Sequence, residues 1–368
     1  MERLAYKLKD YFASVKKFIH SPNTLRHYDK FSKIFKSVLL KIVIYAVLIT
    51  FSYIFLYPLL KVIIDSLKTN SDLQNPDVVW VPRSLTLSNY KYAIKTLEIY
   101  YVNHLYSNVI VSTLFNSALY SFLTATLQTI TACLAGYAFA RFEFKGKKLW
   151  FIGLILAFIL PAQLLALPRS MMLRPLINKT ASPAILFGLN SNEPLTHKIN
   201  AIFGIIKTTP MLLITLFGQG INSSILIFIA FSFFKMIPIS LDEAAQIDGA
   251  NFFQIFLHII IKMSLPTILV VFLFSFIWNW NDSYVYGQLT AALSGNDMKF
   301  RTLPEILSLF NDKMSQGSSE SHVSENVSNS VGLQSAAIVI SIAPLLILYA
   351  FTQKKFVEGI ENTGVTGV

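Results

Sequence analysis

Six stretches of this chain run for 19 residues or more without an Asp, Glu, Lys or Arg, and they leave few folds open to it. They are Ile42 to Leu60, Leu105 to Ala140, Leu149 to Pro168, Thr208 to Phe234, Met263 to Asn281 and Val331 to Thr352. A helix rising about 1.5 Å per residue needs about 20 apolar residues to cross roughly 30 Å of hydrocarbon, so each stretch is a candidate span. A soluble core would interrupt such runs with charges. Composition agrees, since 54% of the 368 residues are hydrophobic and 14% charged, against about 45–50% and about 25% in soluble domains. The chain reads as an all-α, polytopic membrane protein with six transmembrane helices.

The second stretch is too long for one straight span, because a helix over all of it would reach about 54 Å. Its first third is expected along the outer interface. Pro58, Pro161 and Pro344 lie within or near the ends of spans, where neighbouring helices can satisfy the carbonyl a proline frees; they predict bent helices around a cavity. Lys and Arg near span ends resist translocation. Residues 1–41 hold ten basic and three acidic side chains, and Arg141 to Lys148 hold four and one, which places both in the cytoplasm and, after six spans, the C-terminus as well. The link from Arg169 to Lys207, outside in this arrangement, runs against the rule with five basic residues and one acid. The organisation is thus a cytoplasmic arm (1–37), a six-span domain (38–353) with extracytoplasmic loops 61–104, 169–207 and 288–330, and a cytoplasmic tail (354–368). The polar run 311–330 has a low-complexity composition.

Leu4, Leu8, Tyr11, Phe12, Val15, Phe18 and Ile19 share one helical face of the arm, with Lys7, Lys16 and Lys17 off it. That pattern predicts an amphipathic helix on the inner leaflet; interfacial anchoring is the simpler reading and partner binding the alternative. The net charge of +11 suits an anionic lipid surface, and no nucleic-acid motif accompanies it, so no nucleic-acid partner is expected. The single cysteine, Cys133, excludes an intramolecular disulfide and a cysteine-based metal site. The six histidines are scattered and form no H-E-x-x-H, and no P-loop is present: Gly146-Lys147 has Arg141 where the first glycine belongs and Lys148 where Ser or Thr belongs. No catalytic residue, metal or cofactor is therefore assigned to the chain.

The segment between spans four and five, 238–266, carries the most local information. Ser240 and Glu243 have capping-box spacing, which predicts a short helix from Leu241. Gly249 is placed to end it in the left-handed conformation. A second helix, Asn251 to about Lys262, should lead into span five near Pro266. Helix, glycine turn and helix form an elbow, and a short helix with two alanines and an acidic pair suits a groove on another protein. The plainer reading is a solvated turn between spans.

Glu243-Ala244-Ala245, Asp248-Gly249-Ala250 and Ile259 resemble the cytoplasmic signature of permease subunits of binding-protein-dependent ABC importers. The likeness extends to LKTNSDL and WVPRSLTLSNYKYAI (68–94), LAGYAFARFEFKGKKL (134–149), ILPAQLLALP (159–168), WNWNDSYVYG (278–287) and QKKFVEGIENTGVTGV (353–368). In this order the segments are similar to the carbohydrate-uptake branch, in particular the maltose-type second permease. Two departures stand out. Lys262 occupies the place of a usual proline, which predicts a less kinked exit from the second loop helix, and the links around Phe187 to Thr209 and before span six are enlarged.

The resemblance implies a type I importer permease fold in a bacterial plasma membrane. It implies as partners a sister permease, two cytoplasmic ATPases that bind ATP and Mg, an extracytoplasmic solute-binding protein or lipoprotein, and membrane lipid. Glu243 would be the groove contact, Ala244 and Ala245 the close-packing face and Gly249 the turn; Ser240, Asp248 and Ala250 complete the coupling loop. Solute-path candidates are the polar or aromatic residues in or beside spans: Asn116, Gln128, Gln163, Gln219, Asn222, Trp278, Asn281 and Asp282. For each, hydrogen bonding between helices is the competing reading. The expected solute is a sugar. Glycerol-phosphate or another non-sugar solute is the alternative, and an ion-coupled secondary transporter fits less well because the spans hold almost no ionisable group near the midplane.

Overall fold

The computed structural model describes residues 22–99, 101–103, 109–160, 164–165, 168–169, 171–172, 209–287, 301–310 and 331–364. Residues 1–21 of the arm, Pro161 and Gln163, residues 173–207 and the run 311–330 lie outside them. The chain divides into two units, residues 1–63 and 64–368. The first is described as helix α1, Pro22–Ser66, which runs three residues into the second unit and carries Pro58 inside it.

In the second unit the helices are α2 (Asn70–Gln74), α3 (Ser88–Thr96), α4 (Thr113–Arg141), α5 (Lys147–Ile159), α6 (Thr209–Leu216) and α7 (Ser223–Met236). They continue with α8 (Ile239–Ile247), α9 (Phe252–Met263), α10 (Leu265–Trp280), α11 (Leu303–Ser308) and α12 (Val331–Gly364). Among the described residues three helices are long and apolar enough to cross a membrane, and up to five spans result if the bent pairs α7–α8 and α9–α10 each count as one. These correspond to five of the six expected spans; within the third, α5 stops at Ile159 and Leu160 is extended (φ −75°, ψ 123°). That is the backbone a residue takes before a proline, here Pro161.

In the second stretch, Val109–Val111 pairs with Tyr101–Asn103 as a short antiparallel ribbon, with Tyr101 opposite Val111. Its β-branched run favours strand over helix, and α4 starts after Ser112, whose hydroxyl accepts from the Phe115 amide at 3.4 Å. The fourth stretch is not one helix. It breaks between Leu216 and Ser223, where Gly218 (φ +74°) and Asn222 (φ +53°) are left-handed. In hydrocarbon a freed carbonyl must find a donor within the protein, and α4 supplies them: Thr131 Oγ1 donates to the Leu216 carbonyl at 3.1 Å and Gln128 Nε2 to that of Ile221. Lastly, the exit from the second loop helix is strongly kinked without the missing proline. α9 and α10 meet at 81°, because Ser264 (φ −97°, ψ 5°) leaves the helix and Pro266 opens the next one.

α4 is the central helix, with α7 and α10 packed along it. Midway, Ala132, Leu226, Ile227 and Val271 form a buried apolar layer. α4 and α7 approach closely at Gly136, where an added Cβ would stand 2.8 Å from both Ala230 Cβ and the Phe231 amide nitrogen. At the Thr113 end, α3, α11 and the starts of α12 share a core of Ala93, Leu97, Leu303, Ile306, Leu333 and Ala336 with Trp280 of α10. Lys68, 1% exposed, anchors the adjoining loop through Asp65 at 2.9 Å and the carbonyls of Val78 and Val79 at 2.9 and 2.8 Å. A buried ammonium persists only when so fully paired.

Candidate functional site

The elbow between α7 and α10 forms, with its start moved. α8 begins at Ile239, after Pro238, and no side chain caps it. The expected Ser240–Glu243 capping box is therefore absent. Pro238 (φ −58°, ψ 133°) turns the chain straight into the helix, so Ser240 falls inside the first turn instead of before it. At the other end the reading of Gly249 is matched by its φ of +86°. The amide of Ala250 donates to the Ala245 carbonyl at 2.9 Å and that of Gly249 to Gln246 at 3.0 Å, the paired bonds of a Schellman turn, with Asp248 as the last, half-helical residue. Directly after it, Asn251 Oδ1 accepts from the Gln254 amide at 2.9 Å and Gln254 Oε1 from the Asn251 amide at 2.8 Å. This is the loop's capping box, and its N-x-x-Q spacing was readable in the sequence. Two satisfied caps thus flank one glycine.

Its two alanines part company. Ala245 is buried among Tyr137, Ala230, Phe234, Ile255 and Phe256, whereas Ala244 is exposed. They do not form one outward close-packing face; consecutive helical residues stand about 100° apart, and the 69° bend between α7 and α8 turns Ala245 toward the bundle. The outward face instead carries Glu243, Ala244, Ile247 (86% exposed) and, on α9, Phe253 (65% exposed). Asp242, just before Glu243, points inward: its Oδ2 lies 2.9 Å from Arg141 Nε at the end of α4. Burial pushes the Asp242 carboxyl above the ordinary carboxylate range, Arg141 draws it back down, and the neighbouring Glu243 raises it.

The described solute-path candidates, Gln163 lying outside the described residues, do not gather into one site. Gln128, 1% exposed, is the hub of a buried polar network. Its Nε2 donates to the Ile221 carbonyl and to Ser223 Oγ (2.9 Å), and its Oε1 accepts from Ser275 Oγ and from Asn279 Nδ2 (3.1 Å). α4, α7 and α10 are thereby joined by one side chain. Ser223 and Ser275 were not among the candidates; Ser275 stands four residues before Asn279, one turn along the same face. Asn116 Nδ2 donates to the Arg301 carbonyl at 3.1 Å. Asp282 closes the turn after α10, accepting from the amides of Val285 and Tyr286 at 2.9 Å each. Trp278 stacks on Phe274 with centroids 5.5 Å apart, and Asn281 is the exposed C-cap that follows α10. Gln219 and Asn222 line a cavity of about 60 Å³ together with Arg169, Gly218, Ser223 and Ser224; Arg169 Nη2 donates to Gln219 Oε1 at 3.0 Å. Among the described residues no group of His, Cys, Asp and Glu is placed to hold a metal ion.

Several long apolar helices, one run of them broken and braced by buried polar side chains, define a multi-pass membrane protein. Residues 128–361 match the family of binding-protein-dependent transport system inner membrane components. The chain belongs to that family: it is a multi-pass permease subunit of an ABC importer and a transport component, with no catalytic role of its own. Among its relatives, a probable starch degradation products transport system permease of Thermoanaerobacterium thermosulfurigenes is 26% identical over 312 residues, covering 85% of this chain and 92% of that one. A probable ABC transporter permease of Pyrococcus horikoshii is 27% identical over 247 residues, 66% of this chain and 71% of its own. A diacetylchitobiose uptake system permease of Streptomyces coelicolor is 24% identical over 312 residues, 84% and 92% of the two chains.

Proposed function

We propose that this chain and a sister permease form the translocation path for a sugar, driven by two cytoplasmic ATPases that bind ATP and Mg and supplied by an extracytoplasmic solute-binding protein. The observation that carries the reading is the elbow: two capped helices joined at Gly249, with an outward face of Glu243, Ala244, Ile247 and Phe253 that nothing else in the described chain covers. A groove on an ATPase is the partner that this face fits, with a basic residue for Glu243 and an apolar floor for Ile247 and Phe253. When ATP draws the ATPases together, a stiff elbow moves as one piece and biases the spans between two states. The elbow then lies in the cytoplasm and so do both termini, as the basic residues of 1–41 and 141–148 also favour.

The sugar rests on the relatives named for starch products and diacetylchitobiose. The test is to co-express the chain with candidate sister-permease, ATPase and solute-binding-protein subunits from the same source, purify the assembly through a tag on this chain, and measure ATPase content and uptake of radiolabelled oligosaccharides. ATPase subunits in the purified assembly together with saturable oligosaccharide uptake support the reading. An assembly without ATPase overturns it, and uptake of glycerol-phosphate in place of sugars corrects the solute.

A further inference from the structure

The elbow does not touch the bundle through apolar contacts alone. Three side chains at the end of α4 hold α9 and the α7–α8 corner. Tyr137 lies against Phe256 of α9, with ring centroids 4.8 Å apart, and Phe142 meets Phe252 edge-on at 5.4 Å. Between them the Arg141 guanidinium reaches both sides of the corner at which α7 becomes α8: Nη2 donates to the Ile237 carbonyl at 2.9 Å, and Nε faces Asp242 Oδ2 at 2.9 Å. Both side chains are buried, at 6% and 10% exposure. The corner has no brace of its own, because Pro238 contributes no amide and α8 has no side-chain cap.

We propose that Arg141 is the positioning residue that makes α4 and α8 move together, holding the Ile237 carbonyl before the corner and the Asp242 carboxylate after it. The inference rests on the coupling role given above and adds the route by which displacement of α8 reaches α4. From α4 it passes to α7 at Gly136 and to α10 through Gln128. Apolar surfaces of Ala245, Tyr137 and Phe256 resist separation but allow sliding. A fork with one nitrogen hydrogen-bonded before the bend and another in ionic contact after it also ties the two sides of the corner together. Among the described residues neither Arg141 Nε nor Asp242 Oδ1 has a hydrogen-bond partner, so the two side chains are held to each other by their ionic contact.

The test uses the assembled transporter in proteoliposomes, with solute-binding protein and solute, and reads solute moved per ATP hydrolysed. Arg141→Lys keeps the charge and loses the fork; Asp242→Asn keeps the volume and loses the charge. Both are expected to assemble with the ATPases at wild-type yield and to hydrolyse ATP, while solute moved per ATP falls at least threefold. The double variant should lose less than the two single losses combined, since both changes act on the Arg141–Asp242 contact. A wild-type ratio in both single variants overturns the proposal, and so does failure of the variants to assemble, which would make the pair a folding element only. If the unaltered chain itself binds no ATPase, the failure lies in the coupling role and not in Arg141.

Discussion

Replacing Gln128 by Leu separates a strut from a solute contact. The substitution puts an apolar side chain of similar size in place of the amide and removes both donors and the acceptor from the centre of α4, α7 and α10. The Ile221 carbonyl and Ser223 hydroxyl lose their donor; Ser275 and Asn279 lose their acceptor, although Asn279 Nδ2 retains the Ser275 carbonyl at 2.8 Å. Hydrogen bonds between membrane helices are worth about 0.6 kcal/mol each on average, which sets a lower bound near 2 kcal/mol for the network. If the Ile221 carbonyl and Ser275 hydroxyl instead bear the full cost of buried, unpaired groups, about 1–3 kcal/mol each, the loss reaches about 6 kcal/mol. Either value shifts a thermal midpoint measurably. The assay is thermal unfolding of the purified assembly in detergent, beside solute uptake normalised to assembled transporter. A lowered midpoint, with uptake per surviving assembly close to normal, is expected. An unchanged midpoint with uptake abolished refutes the strut and returns Gln128 to the solute path.

Gly136→Ala should destabilise the bundle by about 1–3 kcal/mol, since the new methyl meets backbone of α7 that cannot rotate aside; Gly153→Ala, with nothing within 4 Å, is the control expected to be silent in the same melt. At Gly249 the space is open and the cost is conformational: Gly249→Val should cost about 1–2 kcal/mol or more and lower uptake, whereas Gly249→Asn, a residue that tolerates the left-handed region, should retain most of it. Equal uptake by the two variants would contradict a conformational origin. For Asp242 the raised carboxyl means that the folded elbow holds a proton more tightly than the unfolded chain. Its contribution to stability is therefore greatest below the ordinary carboxylate range and is lost as pH rises through the raised value. Exchange of α8 amides, corrected for intrinsic rate, should not accelerate on going from about pH 7 to about pH 5; acceleration that vanishes in Asp242→Asn would refute this.

Local signals were legible where one short segment decides the outcome. The glycine at 249 had to be left-handed because a helix ended there with no residue better suited, and the turn formed as read. Ser240 and Glu243 show the limit of that logic. Two capping patterns of equal spacing lay eleven residues apart, and only Asn251–Gln254 was used, because Pro238 and the 69° bend started α8 early. Which pattern wins depends on where the previous helix delivers the chain.

What the sequence determined by itself is the partition between hydrocarbon and water: long uncharged runs favour spanning helices in a bilayer, and their approximate positions follow from the rise per residue. What only the tertiary structure decided is which polar groups inside those runs meet. Arg141 finds Ile237 and Asp242, and Gln128 finds Ile221 and Ser275, across 96 and 101 residues and 93 and 147 residues respectively. Hydropathy is nearly blind to such pairs, because they depend on the relative rotation and register of helices set by close packing at sites such as Gly136. In an interior without water, those few contacts determine how the elbow, the broken span and the central helix are joined.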